Sequence, residues 1–173
     1  PLSSAPAPPR NFGGIGLPRT GWFTSPPPPL KMMTSRGSSP PLRPTWLKNA
    51  VAFQVPRERP LIAIVLDDVG VARSHAEMAI GLPGVVTLSF MTYPDGVADM
   101  AARARAKGHE LMLHVPMQPL DADLDAGPHA LTVDLSEEEL LKRLAWGLDR
   151  FPGYIGINNH MGSPFTQDGR GMP

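Results

Sequence analysis

From residue 61 onward the apolar positions fall into alternating strand-like and helix-like periods. Leu61-Ile62-Ala63-Ile64-Val65-Leu66 is an unbroken apolar run with β-branched residues, Pro60 before it and Gly70 shortly after. Such a run predicts a strand buried on both faces, with Asp67-Asp68 at its C-terminal end. Val85–Met91, Glu110–Val115 and Tyr154–Asn158 predict three further strands, the third broken by Pro116. Residues 72–81 predict a short helix stopped near Gly81 and Pro83. Val97, Met100, Ala101 and Ala104 recur at i, i+3, i+4 and i+7, which predicts an amphipathic helix ending at Gly108. Ser136-Glu137-Glu138-Glu139 has the form of a capping box, and Leu140, Leu141, Leu144, Ala145 and Leu148 form an apolar stripe behind it. Residues 116–135 carry no period and predict a long loop of the kind that borders a site. The order βαβαβ-loop-αβ predicts parallel strands joined by right-handed crossovers, an α/β fold.

Residues 1–58 follow a different rule. Prolines cluster there, Pro26 to Pro29 in a row, with Ser, Gly and Arg between them. Proline removes backbone donors, and the segment has no periodic apolar face to bury. It predicts a disordered, partly polyproline-II linker that folding does not need. Trp46–Phe53 is its one apolar patch, expected to pack on the domain edge before the first strand. The 173 residues carry 16 basic and 16 acidic side chains, for a formal net charge of +0. That balance gives no sign of nucleic-acid binding. There is no cysteine, which excludes disulfides, thiolate metal sites and cysteine nucleophiles. No apolar run reaches the length of a membrane span.

The candidate chemistry lies at the ends of the predicted strands. Asp67-Asp68 closes the first, His114 the third and His160 follows the fourth. Parallel strands put these ends on one rim, where α/β folds bind ligands. Two adjacent carboxylates repel unless a cation or a shared proton compensates. Asp, His and His form a common ligand set for catalytic zinc, and also the facial triad of non-haem iron oxygenases. Each piece has an ordinary reading as well. An Asp pair after a strand often caps the next helix, and a lone His often only makes hydrogen bonds. His109 is expected to be structural, and His75 and His129 solvated.

Ile64-Val65-Leu66-Asp67-Asp68-Val69-Gly70, Leu88-Ser89-Phe90, Gly108-His109-Glu110, Leu113-His114-Val115-Pro116-Met117 and Gly156-Ile157-Asn158-Asn159-His160-Met161-Gly162-Ser163-Pro164-Phe165-Thr166 occur in that order. Together they resemble the divergent polysaccharide deacetylase family, part of the larger polysaccharide deacetylase (carbohydrate esterase) superfamily. The resemblance implies an incomplete (β/α) barrel of which residues 59–173 are the N-terminal half, truncated to about its first four strands. It implies Asp67 as the general base, with Asp68 and His114 as ligands of a divalent metal, expected to be zinc. The superfamily's second ligand histidine, four positions beyond His114, is replaced here by Gln118. His160 is its natural substitute, with Asn158 and Asn159 expected to orient it or contact substrate, and Gln118 placed beside the site.

The implied reaction is metal-dependent removal of N-acetyl groups from an envelope polysaccharide. The implied location is extracytoplasmic or periplasmic, with any signal or anchor upstream of Pro1. The rival expectation is a degenerate, non-catalytic fold that binds a glycan or a partner in the envelope. Gln118 and the absence of the superfamily's histidine acid favour that rival.

Overall fold

The computed structural model describes residues 43–52, Gln54, Glu58 and 60–169. Of the linker expected over residues 1–58, the part before residue 43 lies outside the described residues, while Thr45–Asn49 within it forms a helix. The element order is α1 (Thr45–Asn49), β1 (Val65–Val69), α2 (Arg73–Ile80), β2 (Thr87–Met91), α3 (Val97–Ala106), β3 (Glu110–Met117), α4 (Glu137–Leu148), β4 (Gly156–Met161) and α5 (Ser163–Gln167). The strands form one open, four-stranded sheet in the order β1-β2-β3-β4, with every neighbouring pair parallel.

The pleat sends alternate side chains to opposite faces, and the register carries that alternation across strands. Leu88 pairs with Leu111, and Phe90 with Leu113. These four share a face and join Ala76 and Ile80 of α2 with Val97, Met100, Ala101 and Ala104 of α3 in one buried cluster. Phe90 meets Phe151 edge to face, with ring centroids 5.8 Å apart. On the helices' outer side, Arg103 of α3 forks onto Glu77 of α2 at 2.6 and 2.7 Å and holds Asp99 at 3.0 Å. The guanidinium's hydrogen bonds draw the Glu77 carboxyl below its ordinary pKa. The other sheet face carries Thr87, Ser89 and Met91 of β2, Met112 and His114 of β3, and Asn158 and His160 of β4.

The first strand departs from the expectation of two buried faces. Its ladder runs from Val65 to Val69, and Leu61, Ile62, Ile64 and Val65 are exposed, Ile62 at 87%. β1 stands at the sheet margin with β2 as its one neighbour, and only Leu66 and Val69 turn toward the helices.

The third strand also runs past its expected stop. Pro116 sits inside β3, which ends at Met117. β2 has already ended at the Met91–His114 pair, so the N–H that proline lacks faces a flank without a strand partner. Leu131 occupies that flank instead, donating to the Pro116 carbonyl and accepting from the Gln118 amide, both at 2.9 Å. The fourth strand likewise extends to Met161, so that Asn159 and His160 belong to it.

Ser136 caps α4 by accepting the Glu139 N–H at 3.3 Å. The return arm of a capping box is replaced, because the Glu139 carboxylate accepts from Arg143 Nε at 3.0 Å. The α4 stripe is only partly covered. Leu140, Leu141 and Leu144 line a cavity of about 610 Å³, with Ile157 of β4 and Phe165 of α5 opposite. At the other end of the strands, Asn49 donates to the Tyr154 carbonyl at 2.8 Å and Val51 N–H to Glu110 Oε1 at 2.9 Å. These two bonds dock the segment around α1, although Trp46 itself is exposed.

Phe90 is fully buried, so Phe90→Ala is expected to cost about 3–5 kcal/mol through lost burial and the cavity left behind. Leu141→Ala, on an exposed side chain, should stay within about 0.5 kcal/mol. Denaturant unfolding of both variants checks the assignment of the core, and equal losses would contradict it.

Candidate metal centre

Adjacent residues of a regular strand point to opposite faces, yet Asp67 and Asp68 serve the same one. The cause is a bulge. Leu66 pairs with Leu88 and Val69 with Phe90, so β1 spends one residue more than β2 over this interval. The surplus residue, Asp68, takes φ 59°, in the left-handed region. Asp is one of the few side chains that visits this region readily. The bulge turns Asp68 back to the side of Asp67.

His160 reaches the site by the regular register of β4, opposite Pro116, and an unusual turn follows it. Met161 has φ 56° and Gly162 φ 91°. Asn159 steadies the turn by donating from Nδ2 to the Met161 carbonyl at 2.6 Å. A side chain at 162 would put its Cβ 2.8 Å from Met117 Cβ, so glycine is required where the chain leaves β4.

Asp68, His114 and His160 converge, each offering a ligand atom within 4.8 Å of the others. Asp68 Oδ1 lies 2.8 Å from His160 Nδ1 and 3.2 Å from His114 Nε2. The two imidazoles meet edge to face at 5.1 Å. His114 is buried, while His160 and Asp68 are progressively more open to solvent. Ligands at about 2.0–2.2 Å from a tetrahedral ion stand about 3.4 Å from one another. The donor set, one carboxylate oxygen with two imidazole nitrogens 2.8 and 3.2 Å from it and all within 4.8 Å of one another, is of a kind that can hold a divalent cation.

The site is a face near the carboxyl ends of the strands rather than a row of strand tips. His114 lies three residues before the end of β3. Asp67 stands beside it, with Oδ1 4.0 Å from His114 Nδ1. Asn158, in register with His114, donates from Nδ2 to Asp67 Oδ1 at 2.8 Å and meets His114 Nδ1 through Oδ1 at 2.9 Å. Asn158 thus holds His114 and Asp67, not His160 as expected from the sequence, and Asn159 serves the turn.

Gln118 is engaged by the loop that follows β3. Its Oε1 accepts the Val133 N–H at 2.9 Å and braces the loop after β3. The same loop is fixed by Arg143, which donates to the Ala130 carbonyl at 2.7 Å, and by His129, stacked on Trp146 at 3.9 Å. His129 is exposed, as expected, and stacks on an aromatic partner. His109 is buried and bonded to the Ile80 carbonyl, a structural place.

Two residues near the site were given no role by the sequence. Ser89 is fully buried, and its Oγ donates to Asn158 Oδ1. A lone hydroxyl between Leu88 and Phe90, in strand phase with Asp67, was the available signal. Tyr93, just beyond β2, packs so closely on Gly127 that a Cβ there would lie 2.5 Å from the ring. Burial, then the Asp68 and Asp125 carboxylates, push the Tyr93 phenol up, so it keeps its proton at neutral pH.

With this geometry in hand, comparison with known proteins is informative. A model of the divergent polysaccharide deacetylase family matches residues 64–173. The chain belongs to that family. It is 30% identical over 111 residues to the uncharacterized protein YibQ of Escherichia coli (strain K12), covering 64% of this chain and 34% of that protein. An uncharacterized protein of Haemophilus influenzae is 28% identical over 109 residues, covering 62% of this chain and 38% of that one. The crystal structure of uncharacterized protein ATU2773 from Agrobacterium tumefaciens C58 superposes with a TM-score of 0.66 at 26% identity, covering 70% of this chain and 50% of that chain. The divergent deacetylase fold here is thus a four-stranded open sheet with alternating helices, a partial barrel. The chain spans little more than a third of the curated relatives' length and half of the solved one.

The bulge makes a measurable demand on position 68. Asp68→Gly and Asp68→Val both remove the carboxylate, but only Val is penalised at positive φ. Val is expected to be less stable than Gly by about 1–2 kcal/mol or more in denaturant unfolding. Equal stability would show that Asp68 does not sit in the left-handed region.

Proposed function

We propose that this protein is a metal-dependent hydrolase that removes N-acetyl groups from an envelope polysaccharide, with zinc as its metal. One observation carries the reading: Asp68, His114 and His160 converge beside a further carboxylate, Asp67, on the sheet face opposite the core packed by α2 and α3. Asp68, His114 and His160 would hold the ion. A bound divalent cation supplies Lewis-acid polarisation of the acetyl carbonyl and acidifies an attacking water to a pKa of about 7.

The chain's own residues divide the remaining work. Asp67 is positioned by Asn158 to accept the attacking water's proton. The Tyr93 phenol, protonated at neutral pH, is available as a hydrogen-bond donor near the same rim. His109 is engaged by Ile80 and His129 by Trp146. We therefore assign protonation of the leaving amine to a group outside the described residues. The open face and exposed acids suit a long, polar substrate better than an enclosed small molecule. An envelope glycan is met outside the cytoplasm, and we place the protein there. Among the described residues no helix is long and apolar enough to cross a membrane.

The second reading, glycan binding without hydrolysis, draws on Gln118. The position that would carry a second ligand histidine is spent on bracing the loop through Val133.

Cobalt titration followed by an acetate-release assay on N-acetylglucosamine oligomers separates the possibilities. One ion per chain is expected, lost in His114→Ala and His160→Ala. Asp67→Asn should keep the ion but slow acetate release by about 10²–10⁴-fold. Ion and oligomer binding without acetate release would favour the non-catalytic reading, and no ion at all would remove the metal-dependent one.

A further inference from the structure

The Asn158 side chain makes three contacts at the centre of the site, and their chemistry leaves few choices. Its Nδ2 lies 2.8 Å from Asp67 Oδ1. A carboxylate only accepts, so the amide must present its NH2 there; the flipped amide would press oxygen against oxygen. Oδ1 therefore faces Ser89 and His114. It has two lone pairs. Ser89 Oγ, fully buried, donates its single proton to one. His114 Nδ1, at 2.9 Å, meets the other. An amide oxygen cannot donate, so Nδ1 must carry the ring proton.

That assignment fixes the remaining nitrogen. In the neutral ring, His114 Nε2 is then a bare lone pair, and it stands 3.2 Å from Asp68 Oδ1. Two acceptors then face each other, a contact that a cation or a further proton between them makes favourable. We infer that Ser89 and Asn158 are the positioning pair of this site: they select the ring nitrogen that His114 offers to a cation and couple that ligand to the proton acceptor Asp67. The inference rests on the deacetylase reading for its purpose, but its geometry concerns only residues of this chain.

The coupling runs through one planar group. The oxygen end of Asn158 sets the His114 tautomer, and the nitrogen end sets the Asp67 carboxylate, so rotating the amide disturbs both. Asp67 opposes the rotation, because a flipped amide would set oxygen against a carboxylate, and the Ser89 hydroxyl adds its own bond to the oxygen end. A ligand and a base on different strands, β3 and β1, are thereby held in one relation by a residue on β4. Partners that orient a metal-binding histidine are typically worth 10–100-fold in metal affinity.

The test reads ring protons directly. Long-range proton–nitrogen spectra of the ¹⁵N-labelled chain, without metal and with zinc, report which nitrogen of His114 is protonated. Cobalt titrations of the same samples report affinity. Wild type is expected to show Nδ1 protonated in both states. Asn158→Leu should release the ring toward the other tautomer and weaken cobalt binding by about 10–100-fold. Ser89→Ala, which removes one hydroxyl and should fold, is expected to act in the same direction to a lesser degree.

Protonation of wild-type His114 on Nε2, or Ser89→Ala and Asn158→Leu proteins with unchanged tautomer and affinity, would overturn the inference. If wild type binds no cobalt, the deacetylase reading fails. The ring-proton measurement on the metal-free chain then still upholds or overturns the assignment of Ser89 and Asn158.

Discussion

The site depends on the lateral pairing of β3 with β2 on one side and β4 on the other. Parallel strands in register carry one parity of side chain to each face across their whole width. Helices α2 and α3 claim the face of Leu88, Phe90, Leu111 and Leu113. Every polar group of matching phase is then confined to the opposite face, where Ser89, His114, Asn158 and His160 stand together. A slip of one residue between β3 and β4 would send Ile157 to the site and Asn158 to the core. The apolar face and the polar face therefore enforce each other.

Against that regular frame, the two acidic residues need an irregularity. A strand cannot present neighbours on one side, and the Asp68 bulge supplies the exception. His160 is followed by a second one, where Met161 takes positive φ. Strain of this kind persists only where the surroundings hold it. Here the surroundings are the β1–β2 ladder on one side and the Asn159–Met161 bond on the other. Both departures flank ligand positions, and the buried ligand, His114, needs none because it sits in a regular strand between two others.

Much of this was readable from residue order. Helix periods located α2, α3 and α4, and apolar runs located all four strands, because each element's covered face is written in its own sequence. Residue type at those strands singled out Asp68, His114 and His160. What the sequence concealed is what depends on neighbours. Leu61 to Val65 look like a buried strand but lie at the sheet margin, where no local pattern records a missing partner. Pro116 reads as a stop, and only the early end of β2 makes it tolerable. Asn158 was matched with His160, its neighbour on the chain, whereas register sets it beside His114 and Asp67. Ser89 was noted within a motif but given no role, because one hydroxyl in an apolar strand resembles ordinary variation. The bulge at Asp68 emerges only when Val69 is seen to pair with Phe90.

The docking of α1 has a temporal consequence. Asn49 bonds to Tyr154, 105 positions later, and Val51 to Glu110, 59 positions later. During synthesis at about 5–20 residues per second, Asn49 must wait about 5–20 s for its partner to be made. Throughout that interval the Asn49 amide lacks the carbonyl that receives it. The segment that leads into β1 is thus among the last to settle, and whatever guards nascent chains meets it before β4 does.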